Sequence, residues 1–216
     1  SAYLAGSTGD GPADGAASDR TYASARGPMT TLVGATSFTT DTPFTGVLPE
    51  LPSVATAEGD ANARLDALLD AEAADPMSID ADDTYWTGKA LGRAVRIVEI
   101  ADQLDRTAVR DTALEQIEAT LTDWFTADAG ETEQVFAYNE NWGTLVGFPA
   151  SYGSDKELND HHFHYGYFIL AAATLARFDP AWAEDAAYGG MVDELIADAN
   201  NFDRADTRYP YLRDFD

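Results

Sequence analysis

A chain of 216 residues that is 45% hydrophobic can bury a sizeable core, and with no cysteine it can form neither disulfides nor thiolate metal sites. Asp and Glu number 38 against 13 Lys and Arg, and the resulting net charge of −25 repels phosphate, which excludes nucleic acid and anionic membranes as partners. No apolar run reaches transmembrane length, and Ser1–Gly15 has no basic segment followed by an apolar one, so no signal peptide is read there.

The acids are spread along the whole chain, and Lys89 and Lys156 are its only lysines. Dispersed acids, scarce lysine and abundant alanine fit a high-salt environment, where counterions screen self-repulsion, better than a cation-binding patch.

In chain order, residues 1–20 are rich in Gly, Ala, Ser and Asp and read as a loop or loose edge. Met29–Thr40 is rich in Thr, Val and Phe around Gly34, which predicts two short strands with a turn or bulge. Leu48-Pro49-Glu50-Leu51-Pro52 ends the strand region, since proline neither extends a ladder nor continues a helix. A boundary falls near residue 55. The first segment, 1–55, is then β-rich or loop, and 56–216 is helical.

Leu65, Leu68, Leu69 and Ala73 share one face of a helix near 60–74, which Asp75-Pro76 stops. Asp83 or Thr84 caps a second helix running to about Leu104, with Leu91, Val95 and Val98 on its apolar side. A third spans about Thr107–Phe125 on Leu114, Ile117, Leu121 and Trp124. Residues 128–159 lack periodicity and read as a long functional loop. A fourth helix is predicted over Asp160–Phe178 and a fifth over about Ala186–Ala199. There is no βαβ alternation, so the class is mainly α, and bundles, solenoids and α/α toroids all fit the pattern.

The three histidines sit in one segment, Asn159-Asp160-His161-His162-Phe163-His164-Tyr165-Gly166-Tyr167. Asp160 and His164, four apart, share a helix face. A plain helix cap is one reading of Asp160, but a cap does not require three histidines and two tyrosines beside it. A metal site is a second reading, weakened because only His161 and His164 share a side and no HExxH spacing is present. A carbohydrate site is the third. Sugar faces stack on aromatic rings and their hydroxyls need polar partners, and the preceding loop offers Tyr138, Asn139, Trp142, Phe148 and Tyr152. A carboxyl in such a partly desolvated place tends to keep its proton, as a general acid must. Phe148, Phe163 and Phe168 read as core, and Trp142 and Tyr152 as ligand contacts.

The runs Trp142–Asp155 (WGTLVGFPASYGSD) and Glu157–Tyr167 (ELNDHHFHYGY) resemble the signature of glycoside hydrolase family 81. Gly27–Gly34, Phe38–Thr40, Gly46–Pro49, Tyr85–Leu91, Phe178–Pro180 and Arg208–Asp216 also match its pattern, so the resemblance covers about residues 20–216. It implies inverting hydrolysis of internal β-1,3 bonds in glucans such as laminarin. It also implies a portion of an (α/α)6 barrel preceded by a short β-rich segment, the remnant of an N-terminal β-sandwich and linker. By motif position Asp160 matches the proton donor and His164 a substrate contact, with Trp142, Tyr152 and Asp155 counted beside it. No metal or other cofactor is implied. The partner is β-1,3-glucan, and nothing dictates an oligomeric state. The family's general-base glutamates lie after the motif that Asp214-Phe215-Asp216 matches, so the chain is expected to be a fragment, inactive alone. A glucan-binding module without hydrolysis is the alternative. A polymeric substrate implies an extracellular location.

Overall fold

A computed structural model describes residues 2–4, 16–24, 27–34, 60–78 and 82–213. They fall into two compact units, Ser1–Leu48 and Pro49–Asp216.

The first unit holds an antiparallel sheet of β1 (Ala2–Leu4), β2 (Ala16–Ser24) and β3 (Gly27–Val33), in the order β1-β3-β2. Met29–Val33 is strand, as its composition predicts, and Gly34 ends it at a φ of 77°. Residues 2–4 and 16–20 are also strand rather than loop. The run Ala16-Ala17-Ser18-Asp19 has poor intrinsic β preference, but Thr21 and Tyr22 pair with Thr30 and Met29, and cross-strand pairing overrides local propensity. The register shifts between Ala17 and Thr21, a bulge in β2. Phe38–Thr40, Leu48–Pro52 and the boundary near 55 lie outside the described residues.

The second unit is mainly helical: α1 (Asp60–Ala73), α2 (Thr84–Gln103), α3 (Thr107–Trp124), α4 (His161–Phe178) and α5 (Gly190–Asn200). A single π turn, Asp185–Gly189, leads into α5 and takes the place of the first predicted turn of that helix. The start of α2 follows local chemistry. Asp83 caps α2, its Oδ1 accepting from the backbone N–H of Tyr85 at 2.9 Å and of Trp86 at 2.8 Å. Leu91, Ala94, Val95, Val98 and Ala101 form the fully buried stripe of α2, facing Ala113, Ile117 and Leu121 of α3 and Phe168 and Ala171 of α4 in one core. Trp124, Phe136 and Phe168 meet at its centre with ring centroids 5.2–5.3 Å apart.

The predicted long loop contains a hairpin. Strands β4 (Val135–Asn139) and β5 (Thr144–Phe148) pair in register from Val135↔Phe148 to Asn139↔Thr144. The Asn139 side chain accepts from Asn141 N–H at 3.0 Å, a local bond that closes the turn. This strand pair escapes periodicity because Leu145, Val146 and Gly147 are all buried, so β5 shows no alternation.

Candidate active site

α2 and α4 approach closely because two glycines of α2 face Tyr167. A Cβ on Gly88 would lie 2.9 Å from the Tyr167 ring and 3.3 Å from the His164 carbonyl oxygen. The approach brings the first turns of both helices together. Thr84 Oγ1 and His164 Nδ1 share a buried hydrogen bond of 3.0 Å. Thr84 N–H in turn donates to the Pro149 carbonyl at 3.0 Å, which holds the end of the hairpin against α2.

Asp160 immediately precedes α4 in a left-handed conformation, φ 61° and ψ 16°. Its carbonyl accepts from His164 N–H at 2.8 Å and so begins the helix, but its side chain makes no capping bond. The cap reading of Asp160 therefore does not hold. The half-buried carboxylate instead lines a cavity of about 350 Å³ together with Tyr85, Tyr152, Phe163 and His164. Asn159 Nδ2 donates to its Oδ2. Tyr152 and Leu158 also take positive φ, 52° and 55°, so three non-glycine residues within one short run hold a backbone that bulky side chains rarely adopt. Such clusters are characteristic of functional segments whose surroundings over-determine them.

The aromatic wall is continuous. The Tyr85 ring meets Tyr152 edge-on at 5.0 Å, Phe163 at 5.7 Å and His164 at 5.4 Å. Tyr152 is 63% and Phe163 49% exposed, so both offer ring surface to a ligand. Flat rings around one carboxylate suit a ligand with an apolar face and a polar edge.

Of the residues singled out in the sequence, the structure brings Asp160, His164 and Tyr152 into one wall. Trp142, exposed at the hairpin turn, and Asp155, half-buried on the turns at 152–157, do not line the cavity. Phe168 is core, but Phe163 and Phe148 are not: both are exposed. The side of α4 that faces the core carries His161, Tyr165, Phe168, Ala172 and Leu175, and Phe163 stands off it beside Tyr167, with ring centroids 5.6 Å apart. That spacing of four between Phe163 and Tyr167 was the available sign of a second face. Tyr85, on α2, had no signal beyond its place in a recognisable run.

The histidines diverge. His161 is fully buried, with Nδ1 2.6 Å from Asp198 Oδ2 and Nε2 3.2 Å from the Ser154 carbonyl. His164 turns to Thr84. Among the described residues, no three His, Asp or Glu side chains are grouped to hold a metal ion. Tyr165, beneath the site, donates to the Leu145 carbonyl at 3.0 Å and accepts from Gly147 N–H at 3.1 Å. Burial first, and the Asp198 charge second, push its hydroxyl well above the usual tyrosine range.

A family model described as the glycosyl hydrolase family 81 C-terminal domain matches residues 57–216. A glucan endo-1,3-beta-D-glucosidase of Thermobifida fusca is 51% identical over 202 residues, which cover 93% of this chain and 26% of the relative. A protein of the same name from Acetivibrio thermocellus is 48% identical over 196 residues, covering 91% and 25%. Among solved structures, a glycoside hydrolase family 81 protein from Clostridium thermocellum superposes with a TM-score of 0.73 at 45% identity, over 95% of this chain and 28% of that one. The chain thus spans about a quarter of the length of these curated relatives.

Proposed function

Because the chain belongs to glycosyl hydrolase family 81, we propose that its helical unit carries the general acid of an enzyme that hydrolyses internal β-1,3-glucosidic bonds with inversion. One observation carries the reading: the Asp160 carboxylate, free of any capping role, faces a cavity walled by Tyr85, Tyr152, Phe163 and His164.

In the proposed reaction Asp160 gives its proton to the glycosidic oxygen as the bond to the anomeric carbon breaks. A water attacks the opposite face of that carbon and loses its proton to a second carboxylate. Inverting enzymes hold the two carboxyl groups about 6.5–9.5 Å apart so that the water fits between them. Asp160 is the one carboxylate among the described residues lining the cavity. We therefore assign the base to a residue beyond this wall, as the resemblance to family 81 implies. His164, held by Thr84, is assigned to a substrate hydroxyl, and the Tyr152 ring to a glucosyl face. Trp142 and Asp155 are assigned to glucosyl units further along the polymer.

The packing of α2 on α3 and α4, and of α4 on α5, supports reading residues 56–216 as part of an (α/α)6 barrel, with residues 1–55 as the β-rich segment ahead of it. A polymeric substrate supports an extracellular enzyme, and the dispersed charge of −25 supports a salt-rich setting.

The test is reducing-sugar release from laminarin by the full-length gene product, with Asp160→Asn beside it. Release that the substitution abolishes is expected. Retention on insoluble β-1,3-glucan with no release would replace hydrolysis by binding alone.

A further inference from the structure

Asp198 of α5 is fully buried and lies at the hub of a network that the reaction itself does not use. Its Oδ1 accepts from Leu145 N–H at 2.8 Å, Thr144 Oγ1 at 2.9 Å and Arg213 Nη2 at 2.9 Å. Its Oδ2 faces His161 Nδ1 at 2.6 Å. The other nitrogen of that ring reaches the Ser154 carbonyl. Carbonyl and carboxylate oxygens accept, so the ring donates from Nε2 to Ser154 O and from Nδ1 to Asp198 Oδ2. Arg213 is brought to the spot by the segment after α5 folding back on that helix: Leu212 N–H donates to Asn201 O at 2.7 Å, and Arg213 Nε donates to Asp198 O at 3.0 Å.

These bonds tie together segments that carry cavity-lining residues. His161 is the residue after Asp160, and Ser154 is two residues after Tyr152. The imidazole therefore spans the two segments that carry the carboxylate and the exposed tyrosine ring, and Asp198 fixes that imidazole to β5. The left-handed backbone at Asp160 needs such external support, since nothing in its own side chain favours the helix start.

We propose that Asp198 is a positioning residue for the acid: through His161 it sets the angle at which α4 begins and so the direction of the Asp160 carboxylate. The inference rests on the reading of Asp160 as proton donor. A misplacement of about 1 Å at a reacting group costs on the order of 100-fold in rate.

The experiment measures kcat and KM on laminarin in the full-length gene product. Asp198→Ala is expected to lower kcat by about 100-fold with KM changed less than about threefold. Asp198→Asn keeps an acceptor for Leu145 and Thr144 and offers an N–H to a His161 tautomer that accepts at Nδ1, so it should restore kcat to within about tenfold of wild type. In case Asp198→Ala does not fold, a second pair decides. His161→Asn keeps a donor where Nδ1 stood and should retain activity, whereas His161→Gln keeps only the Ser154 contact and should lose it. A proton NMR resonance for His161 Nδ1–H, downfield of the amide envelope, should be present in the wild type and absent from the Asp198→Ala protein.

A folded Asp198→Ala enzyme with wild-type kcat, or equal activity in the two His161 variants, overturns the positioning role and leaves Asp160 as the acid. A wild type inactive on laminarin, or a fully active Asp160→Asn, instead removes the reading beneath it.

Discussion

Thr84 and His164, both almost fully buried, are joined by a hydrogen bond of 3.0 Å between Oγ1 and Nδ1, which ties the first residue of α2 to the first turn of α4. His164 lines the cavity, so the bond steadies one of its walls. Thr84→Val keeps the shape and removes the hydroxyl, leaving a polar ring nitrogen facing a methyl group. We expect a loss of about 1–3 kcal/mol in urea unfolding, with turnover on laminarin lowered, and Thr84→Ser close to wild type in both.

Gly147 lies behind the same threonine. A Cβ there would stand 2.4 Å from Thr84 Cγ2 and 2.9 Å from the Phe136 ring, well inside contact distance. Gly147→Ala must displace one or the other. The expected cost is about 1–3 kcal/mol for overpacking, seen as a lower denaturation midpoint. Thr84 is the nearer of the two and holds His164, so activity should fall further than stability alone would explain.

Much of this was legible in the chain. Asp83 as a cap, the apolar stripe of α2 and the stop at Asp179-Pro180 are local signals, and α2 and α4 begin and end within a residue or two of where their patterns put them, whereas α5 starts later, behind the π turn. The hairpin was not legible, because a strand buried on both faces loses its alternation. Nor was the sheet of the first unit, whose β2 owes its extended form to its partner rather than to its composition. At the site, Asp160, His164 and Tyr152 could be picked out by residue type. Tyr85 could not, since it reaches the wall only through the packing of α2 on α4.

The aromatic assignments separate by chain length. If Tyr152 covers about 40–60 Å² of a glucosyl face, at about 25 cal/mol per Å² the contact contributes about 1–1.5 kcal/mol. Tyr152→Ala should then raise KM about tenfold for short and long glucan oligomers alike. Trp142→Ala, away from the cavity, should raise it only for long ones. Oligomers of graded length, compared by initial rates, decide between these patterns.

The hydroxyl of Tyr165 holds its proton in the folded state well beyond the ordinary tyrosine value of 10.0, chiefly through burial. Below that value both states are protonated and the contribution to stability is constant. Above it the unfolded chain releases a proton that the native state keeps, so stability falls as pH rises. Tyr165→Phe should make that decline shallower by about 1.4 kcal/mol per pH unit. Near neutral pH it should cost about 1–3 kcal/mol, since Leu145 O and Gly147 N–H lose their partner. Urea unfolding at a series of pH values between neutral and strongly alkaline measures both.

The central claim is that Asp160 delivers a proton to a departing glucosyl oxygen, and leaving-group chemistry tests it most directly. The Asp160→Asn enzyme should lose about 10²–10⁴-fold in kcat on laminarin, whose leaving group needs that proton. On a dinitrophenyl β-laminaribioside, whose leaving group departs unaided, it should lose less than about tenfold. Equal losses on the two substrates, or none on laminarin, would contradict the assignment.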